Sequence, residues 1–497
     1  MPKITFMGAG STVFAKNVLG DSMMTPALED SVIALYDIDA VRLEDSKRML
    51  DTINRNNGSK ATIETYLGVE NRKAALRGAN YVVDAIQVGG YEPCTVTDFE
   101  IPKKYGLRQT IADTLGIGGI FRALRTIPVL FDFARDMEEV CPDAWFLNYT
   151  NPMAMLSGAM QRYTGVKTVG LCHSVQVCCE GLMKGLGMEY DDTVQWKIAG
   201  INHQAWLLEV TKNGVDLYPE IKRRALARTE KHHDMVRYEI MKRFGYYVTE
   251  SSEHNSEYMP YFIKSTHPEL IDQFNIPLDE YPRRCINQIA EWEKMRENLL
   301  GDENLTHTRS REYASYIMEA METNRPFKFG GNVINTGLIT NLPSNACVEV
   351  PCIADASGVQ SVFIGDLPEQ CAAMNRTNIN PQLLAIEAAV TTTSTRPRCS
   401  IHTPPQSSPS IRSFPCATIL SKRTRAGCRN TTKKSHKKPA VGNCSFPCGG
   451  LYPLHPSYPP GLWLGSSALK GFLWGKSQLA FGAALSLLIS AMESPVT

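Results

Sequence analysis

Short runs of β-branched and aromatic residues alternate with longer segments of helical periodicity over the first 170 residues. The short runs predict strands, and the longer segments predict helices that connect one strand to the next. Alternation of this kind is typical of a parallel sheet with helices on both faces. We therefore predict an α/β fold with a Rossmann-type, doubly wound parallel sheet over residues 1–175. The predicted strands lie in KITFM, VIALYD, ANYVVDAI, WFLNYTNP and KTVGLCHS.

The pattern changes after residue 175. Charged helical segments, such as EIKRRALARTEKHHDMVRYEIMKRF, precede a β-rich run from GGNVINTG to SVFIGDLP. Residues 176–390 therefore predict a mixed α+β domain that packs on the first domain and forms the other wall of a cleft. Ligands of open α/β sheets bind beyond the carboxyl ends of the strands, so we expect the functional site there. We also expect this second domain to carry the substrate, metal and oligomer contacts.

Residues 391–497 have a different composition. They hold 13 Lys and Arg residues but a single acid, Glu493, whereas the remaining 390 residues hold 39 bases and 50 acids. This tail also carries 12 of the 29 prolines and five of the 14 cysteines. A strongly charged, Pro- and Ser-rich segment is poorly suited to a packed core. We predict that the tail is disordered or aberrant.

Overall composition excludes several classes of protein. A formal net charge of +1 gives the chain no general attraction to nucleic acid. The N-terminus MPKITFMGAG lacks the apolar core and cleavage site of a secretory signal. The apolar stretch LAFGAALSLLIS near the C-terminus has 12 residues, fewer than the roughly 18 to 20 that span a bilayer. We expect a cytoplasmic protein with reduced cysteines and neither a nucleic-acid nor a membrane partner.

The segment FMGAGS predicts a strand that turns sharply into a helix. The turn consists of Gly8, Ala9, Gly10 and Ser11. Glycines at such a turn let backbone amides approach a pyrophosphate at the helix N-terminus. Asp37 ends the next predicted strand, where a carboxylate accepts hydrogen bonds from ribose hydroxyls and repels a 2′-phosphate. The pattern favours NAD over NADP, with a glycine turn that serves packing alone as the alternative.

Cys172 and His203 are candidate metal ligands. Cys172, in GLCHSVQ, ends a predicted strand, and His203, in GINHQAW, follows it by 31 residues. Two protein ligands are too few for a structural zinc site, but they leave coordination positions open for water and for the vicinal hydroxyls of a substrate. The alternative is a buried thiol and an unrelated, hydrogen-bonded histidine.

Two further segments carry polar groups suited to sugar chemistry. LNYTNPM ends a predicted strand in Asn-Pro, which places an amide beside the expected cleft or forms only a turn. YYVTESSEHNSEYMPYF concentrates acids, a histidine and tyrosines, which suits proton abstraction. An acidic helix start with a buried tyrosine is the alternative for this second segment. Its main ionisable residues are Glu250, Glu253, His254, Glu257 and Tyr258.

Taken in order, these segments resemble glycoside hydrolase family 4, the NAD- and divalent-metal-dependent glycosidases. The resemblance covers about residues 1–390 and is closest to the α-galactosidase branch of that family. It also rests on the ADT and GGIFRALRT segment and on NVINTGLITNLP. At the end of this stretch the family continues into acidic helices, whereas this chain turns into TTTSTRPRCSIHTPPQSS. This departure predicts a shifted reading frame from about residue 391.

The resemblance implies a redox-elimination mechanism on α-galactosides such as melibiose. NAD oxidises the C3 hydroxyl, a base removes the acidified C2 proton, the bond from C1 to oxygen is lost, water adds, and the hydride returns. A divalent metal, usually manganese, chelates the C2 and C3 oxygens. The resemblance also implies a homodimer or homotetramer acting on a small α-galactoside.

The resemblance assigns roles to individual residues. It implies Cys172 and His203 as metal ligands, Asn151 as a substrate-binding residue and Asn148 as a cofactor contact. For the C2 base it implies Tyr258 first, with Glu253 and Glu257 as the further candidates. For protonation of the leaving group it implies Asp113. His173 stands where phosphoglycoside branches have an acid, which predicts an unphosphorylated substrate and makes His173 a second candidate acid.

Three other functions remain open at this point. Within the family, an α-glucosidase differs only in the configuration of one hydroxyl. A 2-hydroxyacid dehydrogenase would share the glycine turn and the Asn-Pro strand end, but it would leave Cys172 and His203 unexplained. A catalytically inactive sugar-sensing protein is the third possibility.

Overall fold

A computed structural model describes residues 1–394 of the chain. The N-terminal half of its sheet has six parallel strands in the order β3-β2-β1-β4-β5-β6. This is the strand order of doubly wound dinucleotide-binding folds, so the predicted Rossmann-type sheet is confirmed. The strands are β1 (Lys3–Met7), β2 (Val32–Asp37), β3 (Thr62–Leu67), β4 (Tyr81–Asp84), β5 (Trp145–Asn148) and β6 (Lys167–Leu171).

Six helices connect these strands and cover both faces of the sheet. Apolar side chains of the first two helices pack with the strands in one core cluster, and those of the fifth and sixth pack in a second. The helices are α1 (Thr12–Met23), α2 (Ala40–Asn56), α3 (Arg72–Leu76), α4 (Val96–Lys103), α5 (Gly116–Val140) and α6 (Met153–Tyr163).

The same sheet continues beyond β6 with antiparallel strands. Its order from that point is β6-β11-β12-β7-β8-β10, while β13 pairs with β12 and β9 pairs with β8. The predicted mixed α+β character of the second half is therefore confirmed, and hydrogen bonds between β6 and β11 join it to the first half. These strands are β7 (Val194–Ile201), β8 (Gln204–Lys212), β9 (Val215–Asp216), β10 (Tyr247–Val248), β11 (Phe327–Ile334), β12 (Cys347–Asp355) and β13 (Gly358–Ser361).

Eight further helices belong to the second half. They are α7 (His173–Gly185), α8 (Tyr218–Ala227), α9 (Met235–Phe244), α10 (Ser252–Tyr258), α11 (Glu269–Gln273), α12 (Glu280–Gly301), α13 (Ala314–Thr323) and α14 (Glu369–Ser394). Within the described residues, none of these or the earlier helices combines the length and apolar composition needed to cross a membrane.

Helix α14 returns to the first half of the chain. Its buried residues Ala385, Ile386 and Ala389 belong to the same apolar cluster as α5 and α6. The predicted boundary at residue 391 falls inside this helix, which the structure follows to Ser394. The predictions for the remainder of the tail lie outside the described residues.

Candidate active site

The glycine turn between β1 and α1 is held by backbone contacts. The amides of Gly8 and Ala9 both donate to the Tyr36 carbonyl at 3.0 Å. Gly8 has a φ of +88°, and a Cβ there would lie 2.8 Å from the Ala85 carbonyl oxygen. A side chain at this position would therefore be strained and would also clash with the backbone.

The second glycine of the turn contacts Asp37. The Gly10 amide donates to Asp37 Oδ2 at 2.6 Å, and a Cβ on Gly10 would lie 2.8 Å from that same oxygen. The other carboxylate oxygen accepts from the Asp39 amide at 2.9 Å. Ser11 is exposed and is the N-cap residue of α1. The predicted cofactor residues thus share one compact turn, with an exposed helix start and a carboxylate beside it.

The two asparagines of LNYTNP are in different environments. Asn148 is 1% exposed, its Nδ2 donates to Ser157 Oγ at 2.9 Å, and its Oδ1 accepts from the Thr150 amide at 2.9 Å. It stabilises the turn that follows β5. Asn151 instead donates from Nδ2 to Asp113 Oδ2 at 3.1 Å, which links the predicted substrate-binding amide to the predicted acid.

Cys172, His203 and Glu250 converge on one point. Each offers a ligand atom, and the three atoms lie within 4.8 Å of one another. Cys172 follows β6, His203 forms the turn between β7 and β8 with a φ of +63°, and Glu250 follows β10 with a φ of +65°. The end of β6, the turn between β7 and β8 and the segment after β10 thus bring together a thiol, an imidazole and a carboxylate.

The electrostatics of this group favour a bound cation. Burial, reinforced by the charges of Glu349 and Glu250, raises the pKa of the Cys172 thiol to about 12. Burial alone would raise the pKa of Glu250, but His254 and His203 hold it below its usual value. A divalent cation would reverse the effect on the thiol, because metal coordination deprotonates a ligating cysteine.

A second group of donors adjoins the first. Ligand atoms of Asp113, His203 and His254 also lie within 4.8 Å of one another. His254 Nε2 lies 3.5 Å from Asp113 Oδ1, and His254 Nδ1 lies 3.5 Å from Glu250 Oε1. Burial opposes ionisation of Asp113, but His254, His203 and Arg122 hold its pKa well below the usual range. Asp113 is therefore a carboxylate in this environment.

The loop residues predicted as the base have different contacts. Tyr258 is 2% exposed, and its hydroxyl donates to Thr114 Oγ1 at 3.1 Å. Thr114 Oγ1 in turn lies 3.4 Å from His203 Nδ1, and burial raises the pKa of Tyr258 well above its usual value. Glu253 Oε1 accepts from Arg284 at 3.3 Å.

Glu257 holds the loop that carries Asp113. Its two carboxylate oxygens accept from the backbone amides of Thr110 at 2.6 Å and Ala112 at 3.0 Å. Burial raises the pKa of Glu257 in spite of these two hydrogen bonds. Because both oxygens are occupied by backbone amides, this residue has a clear structural role in the site.

His173 lies at the outer side of the group. Its Nε2 lies 2.6 Å from Glu312 Oε2, and its side chain is 46% exposed. Burial opposes protonation of this imidazole, but the hydrogen bond and charge of Glu312 raise its pKa above the usual value. His173 is thus a partly exposed imidazole next to the predicted ligand Cys172.

Two family models match nearly all of the described chain. The family 4 glycosyl hydrolase model matches residues 3–188, and the model of the C-terminal domain of that family matches residues 198–396. An α-galactosidase of Bacillus subtilis is 67% identical over 392 residues, which cover 79% of this chain and 90% of that protein. The chain belongs to the family 4 glycosyl hydrolases.

More distant relatives agree with this placement. An α-galactosidase of Rhizobium meliloti is 37% identical over 403 residues, covering 78% of this chain and 81% of that protein. The crystal structure of a 6-phospho-α-glucosidase from gut microorganisms, in complex with NAD and Mn²⁺, has a TM-score of 0.63 at 20% identity and covers 79% and 90% of the two chains.

A second solved structure has a similar fold. The 6-phospho-β-glucosidase of Thermotoga maritima, with manganese, NAD⁺ and glucose-6-phosphate, has a TM-score of 0.62 at 19% identity and covers 78% of this chain and 90% of that one. At these identities the two structures establish the family 4 fold of this chain.

Several residues that the structure brings to the site were not selected from the sequence. Glu250 and His254 stand in the acid-rich loop, but their spacing does not distinguish them from Glu253 and Glu257. Glu312 and Glu349 lie in segments without any motif that points to them. Only the three-dimensional pairing of distant strands identifies these four residues.

Proposed function

We propose that the chain is an α-galactosidase that hydrolyses small α-galactosides with the help of NAD and a divalent cation such as Mn²⁺. The observation that carries this proposal is the cluster of Cys172, His203 and Glu250, in which Cys172 follows a strand parallel to the one that leads into the glycine turn. The 67% identity to an α-galactosidase supports the substrate class. The predicted function is thus retained.

The glycine turn fits a dinucleotide. Gly8 and Gly10 leave no room for a side chain, the start of α1 is exposed, and Asp37 accepts hydrogen bonds at the end of β2. We assign the pyrophosphate to the turn from Gly8 to Ser11 and the ribose hydroxyls to Asp37. Bound NAD supplies a reversible hydride acceptor for the sugar C3, so the overall reaction is redox-neutral.

The donor set fits a divalent cation. Cys172, His203 and Glu250 provide sulfur, nitrogen and oxygen atoms within 4.8 Å of one another. A thiolate is a soft ligand for hard Mn²⁺, which predicts modest affinity and a requirement for reducing conditions. In residues 1–394 all nine cysteines are free thiols, which supports a reducing compartment such as the cytoplasm. We further propose a homodimer or homotetramer there.

Asn151 and Asp113 are positioned to bind sugar hydroxyls. They hydrogen bond to each other at 3.1 Å, and Asp113 Oδ1 is buried without a hydrogen-bond partner among the described residues. An ionised carboxylate accepts hydrogen bonds from hydroxyls and would repel a phosphate or a uronate. We therefore assign Asp113 to substrate binding in an unphosphorylated galactoside site, in preference to the acid role that the resemblance implies.

One carboxylate oxygen of Glu250 suffices as a donor to the cation, which leaves the other oxygen of this loop acid best placed to remove the C2 proton. Glu250 is ionised, as its lowered pKa requires, and it lies 3.6 Å from His203 Nε2. Tyr258 would have to lose a proton from a buried phenol before acting, and Glu253 and Glu257 are engaged by Arg284 and by backbone amides. We keep Tyr258 as the second candidate base.

His173 is the group we assign to protonation of the leaving oxygen. Its side chain is partly exposed, so that an aglycone entering from solvent passes close to it. Glu312 Oε2 lies 2.6 Å from Nε2 and fixes the orientation of the imidazole ring. Asp113 does not suit this step, because a carboxyl held in its ionised form has no proton to donate.

One assay tests the proposal as a whole. The reduced full-length chain is incubated with 4-nitrophenyl α-galactoside, with and without NAD and Mn²⁺, and with the α-glucoside as the matched control. We expect nitrophenol release only from the galactoside and only with both cofactors, with solvent deuterium entering C2 of the product. Release without NAD would overturn the mechanism, and faster release from the glucoside would favour an α-glucosidase. Net NADH formation without sugar cleavage would favour a dehydrogenase.

A further inference from the structure

A row of register-paired residues crosses the sheet between the two strands that lead to the predicted metal ligands. Gly170 on β6 pairs with Asn332 on β11, Asn332 pairs with Glu349 on β12, and Glu349 pairs with Gly200 on β7. Residues that pair across neighbouring strands present their side chains on the same face. The ends of this row, Gly170 and Gly200, come two residues before Cys172 and three before His203.

The carboxylate of Glu349 joins the two ends of the row. Its Oε1 accepts from Asn332 Nδ2 at 3.0 Å and from Asn202 Nδ2 at 3.4 Å. The same Asn332 Nδ2 donates a second hydrogen bond to the Gly170 carbonyl oxygen at 3.3 Å. One oxygen atom therefore connects the strand that leads to Cys172 with the turn that contains His203.

The other carboxylate oxygen is left without a partner. Glu349 is 0% exposed, and its Oε2 has no hydrogen-bond partner among the described residues. A buried carboxylate oxygen without a partner is costly unless a nearby positive charge compensates it. Burial raises the pKa of Glu349 to about 7, although His203 opposes this shift, so a cation beside His203 would compensate the buried charge and hold the carboxylate ionised.

We propose that Glu349 is a positioning residue for the divalent cation: it fixes the two ligand-bearing connections relative to each other and places a negative charge near the cation. This inference rests on the proposed function, because it assumes the cation at Cys172 and His203. It adds a residue that touches neither substrate nor cofactor and that acts through Asn202 and Asn332. Groups that orient metal ligands in this way set the affinity for the metal.

A purely structural role for Glu349 makes a different prediction. If the residue served only the packing of β12, its substitution would lower the stability of the whole sheet and weaken NAD and Mn²⁺ binding together. The positioning role predicts a selective loss of Mn²⁺ affinity, because the glycine turn lies on the other half of the sheet and shares no hydrogen bond with Glu349.

The test is Glu349→Gln in the reduced full-length chain. Free Mn²⁺ is titrated by its electron paramagnetic resonance signal, and NAD binding is measured separately by calorimetry. We expect the Kd for Mn²⁺ to rise by about 10- to 100-fold, the range typical of residues that orient metal ligands, with the Kd for NAD unchanged. Glu349→Asp keeps the charge and should recover part of the Mn²⁺ affinity.

Asp84→Asn is the matched control. Asp84 is also a fully buried carboxylate, both of its oxygens lack hydrogen-bond partners among the described residues, and it lies in the same row through Asn148. It has no hydrogen bond to either ligand-bearing connection. We expect its substitution to leave the Kd for Mn²⁺ unchanged. This result would show that the loss of Mn²⁺ affinity in Glu349→Gln depends on the position of Glu349 and does not follow from the loss of just any buried carboxylate.

The outcomes distinguish this inference from the proposed function. If the parent chain does not bind Mn²⁺, the proposed function fails. If the parent binds Mn²⁺ and Glu349→Gln binds it equally well, or loses NAD affinity to the same extent, the positioning role is wrong. Should Glu349→Gln fail to fold, Asn202→Ala removes the link to the His203 turn from the other side, and unchanged Mn²⁺ affinity in that variant overturns the inference.

Discussion

The glycine turn and the metal cluster are built on the same sheet but are assembled in different ways. The turn comes from a single strand-helix-strand unit, and its contacts are backbone hydrogen bonds from Gly8 and Gly10 to the end of β2. The cluster comes from three distant connections, and only side chains meet in it. It forms because β11 and β12 lie between β6 and β7 in the sheet.

This difference has consequences for function. A local, backbone-made site forms whenever its own unit folds, whereas the metal site requires correct pairing of strands that are far apart in sequence. Cofactor binding and metal binding should therefore respond to separate sets of substitutions. The redox-elimination route needs both the cofactor and the metal, so substitutions at either site should abolish activity.

The largest effect is expected for Cys172→Ser. The hydroxyl is a far weaker ligand than a thiolate, so kcat/KM should fall by more than the roughly 100-fold that is typical of residues outside the coordination sphere. NAD affinity should remain, because the glycine turn is untouched. Cys178→Ser, a buried thiol on the same helix, is the matched control and should keep its Mn²⁺ affinity. Equal loss in both variants would show that Cys172 acts through packing alone.

Glu250→Gln, assayed at saturating Mn²⁺ because Glu250 is also a donor of the metal cluster, tests which loop acid removes the C2 proton. The loss of a general base lowers kcat by about 10²- to 10⁴-fold, and exchange of the C2 proton with solvent deuterium should be lost with it. Tyr258→Phe removes only the hydrogen bond to Thr114 and should retain exchange. Exchange that survives in Glu250→Gln but disappears in Tyr258→Phe would reverse the assignment and favour the base that the sequence places first.

The locally assembled glycine turn could be predicted from the sequence more fully than the metal cluster, whose residues come from distant connections. The first half could be predicted because each strand and helix carries its own periodicity, and the FMGAGS turn with Asp37 is a local pattern. Cys172 and His203 were candidate ligands from the sequence, but their spacing left a buried thiol and an unrelated histidine as the alternative, and only the family resemblance favoured the metal site. Glu250 could not be distinguished, because its position depends on β10, a two-residue strand that pairs with β8. No local pattern indicates that β11 and β12 separate β6 from β7.

A smaller effect is expected for Asp37→Ala, which tests the cofactor side. The variant loses the acceptor for the Gly10 amide and for the ribose hydroxyls, so the Kd for NAD should rise by roughly 10- to 100-fold, as for charged hydrogen bonds. Mn²⁺ affinity should be unchanged, and the ratio of the Kd for NADP to the Kd for NAD should decrease. The control is Asp39→Ala, which removes the N-cap of α2 and should lower stability without changing NAD affinity. Loss of Mn²⁺ affinity in Asp37→Ala would contradict the independence of the two sites.

The last prediction concerns stability and pH, with no loss of activity, at Asp84, the buried carboxylate on β4. Burial raises its pKa to about 7, above the ordinary value of 3.8. A raised pKa in the folded state means that the contribution to stability is fully present below the unfolded pKa and is lost as pH rises through about 7. The free energy of unfolding should therefore fall between pH 5 and pH 8, and each unit of pKa shift contributes about 1.4 kcal/mol. Asp84→Asn does not titrate, so urea denaturation at the two pH values should show a smaller fall than in the parent. An equal fall in both proteins would mean that another group controls the pH dependence.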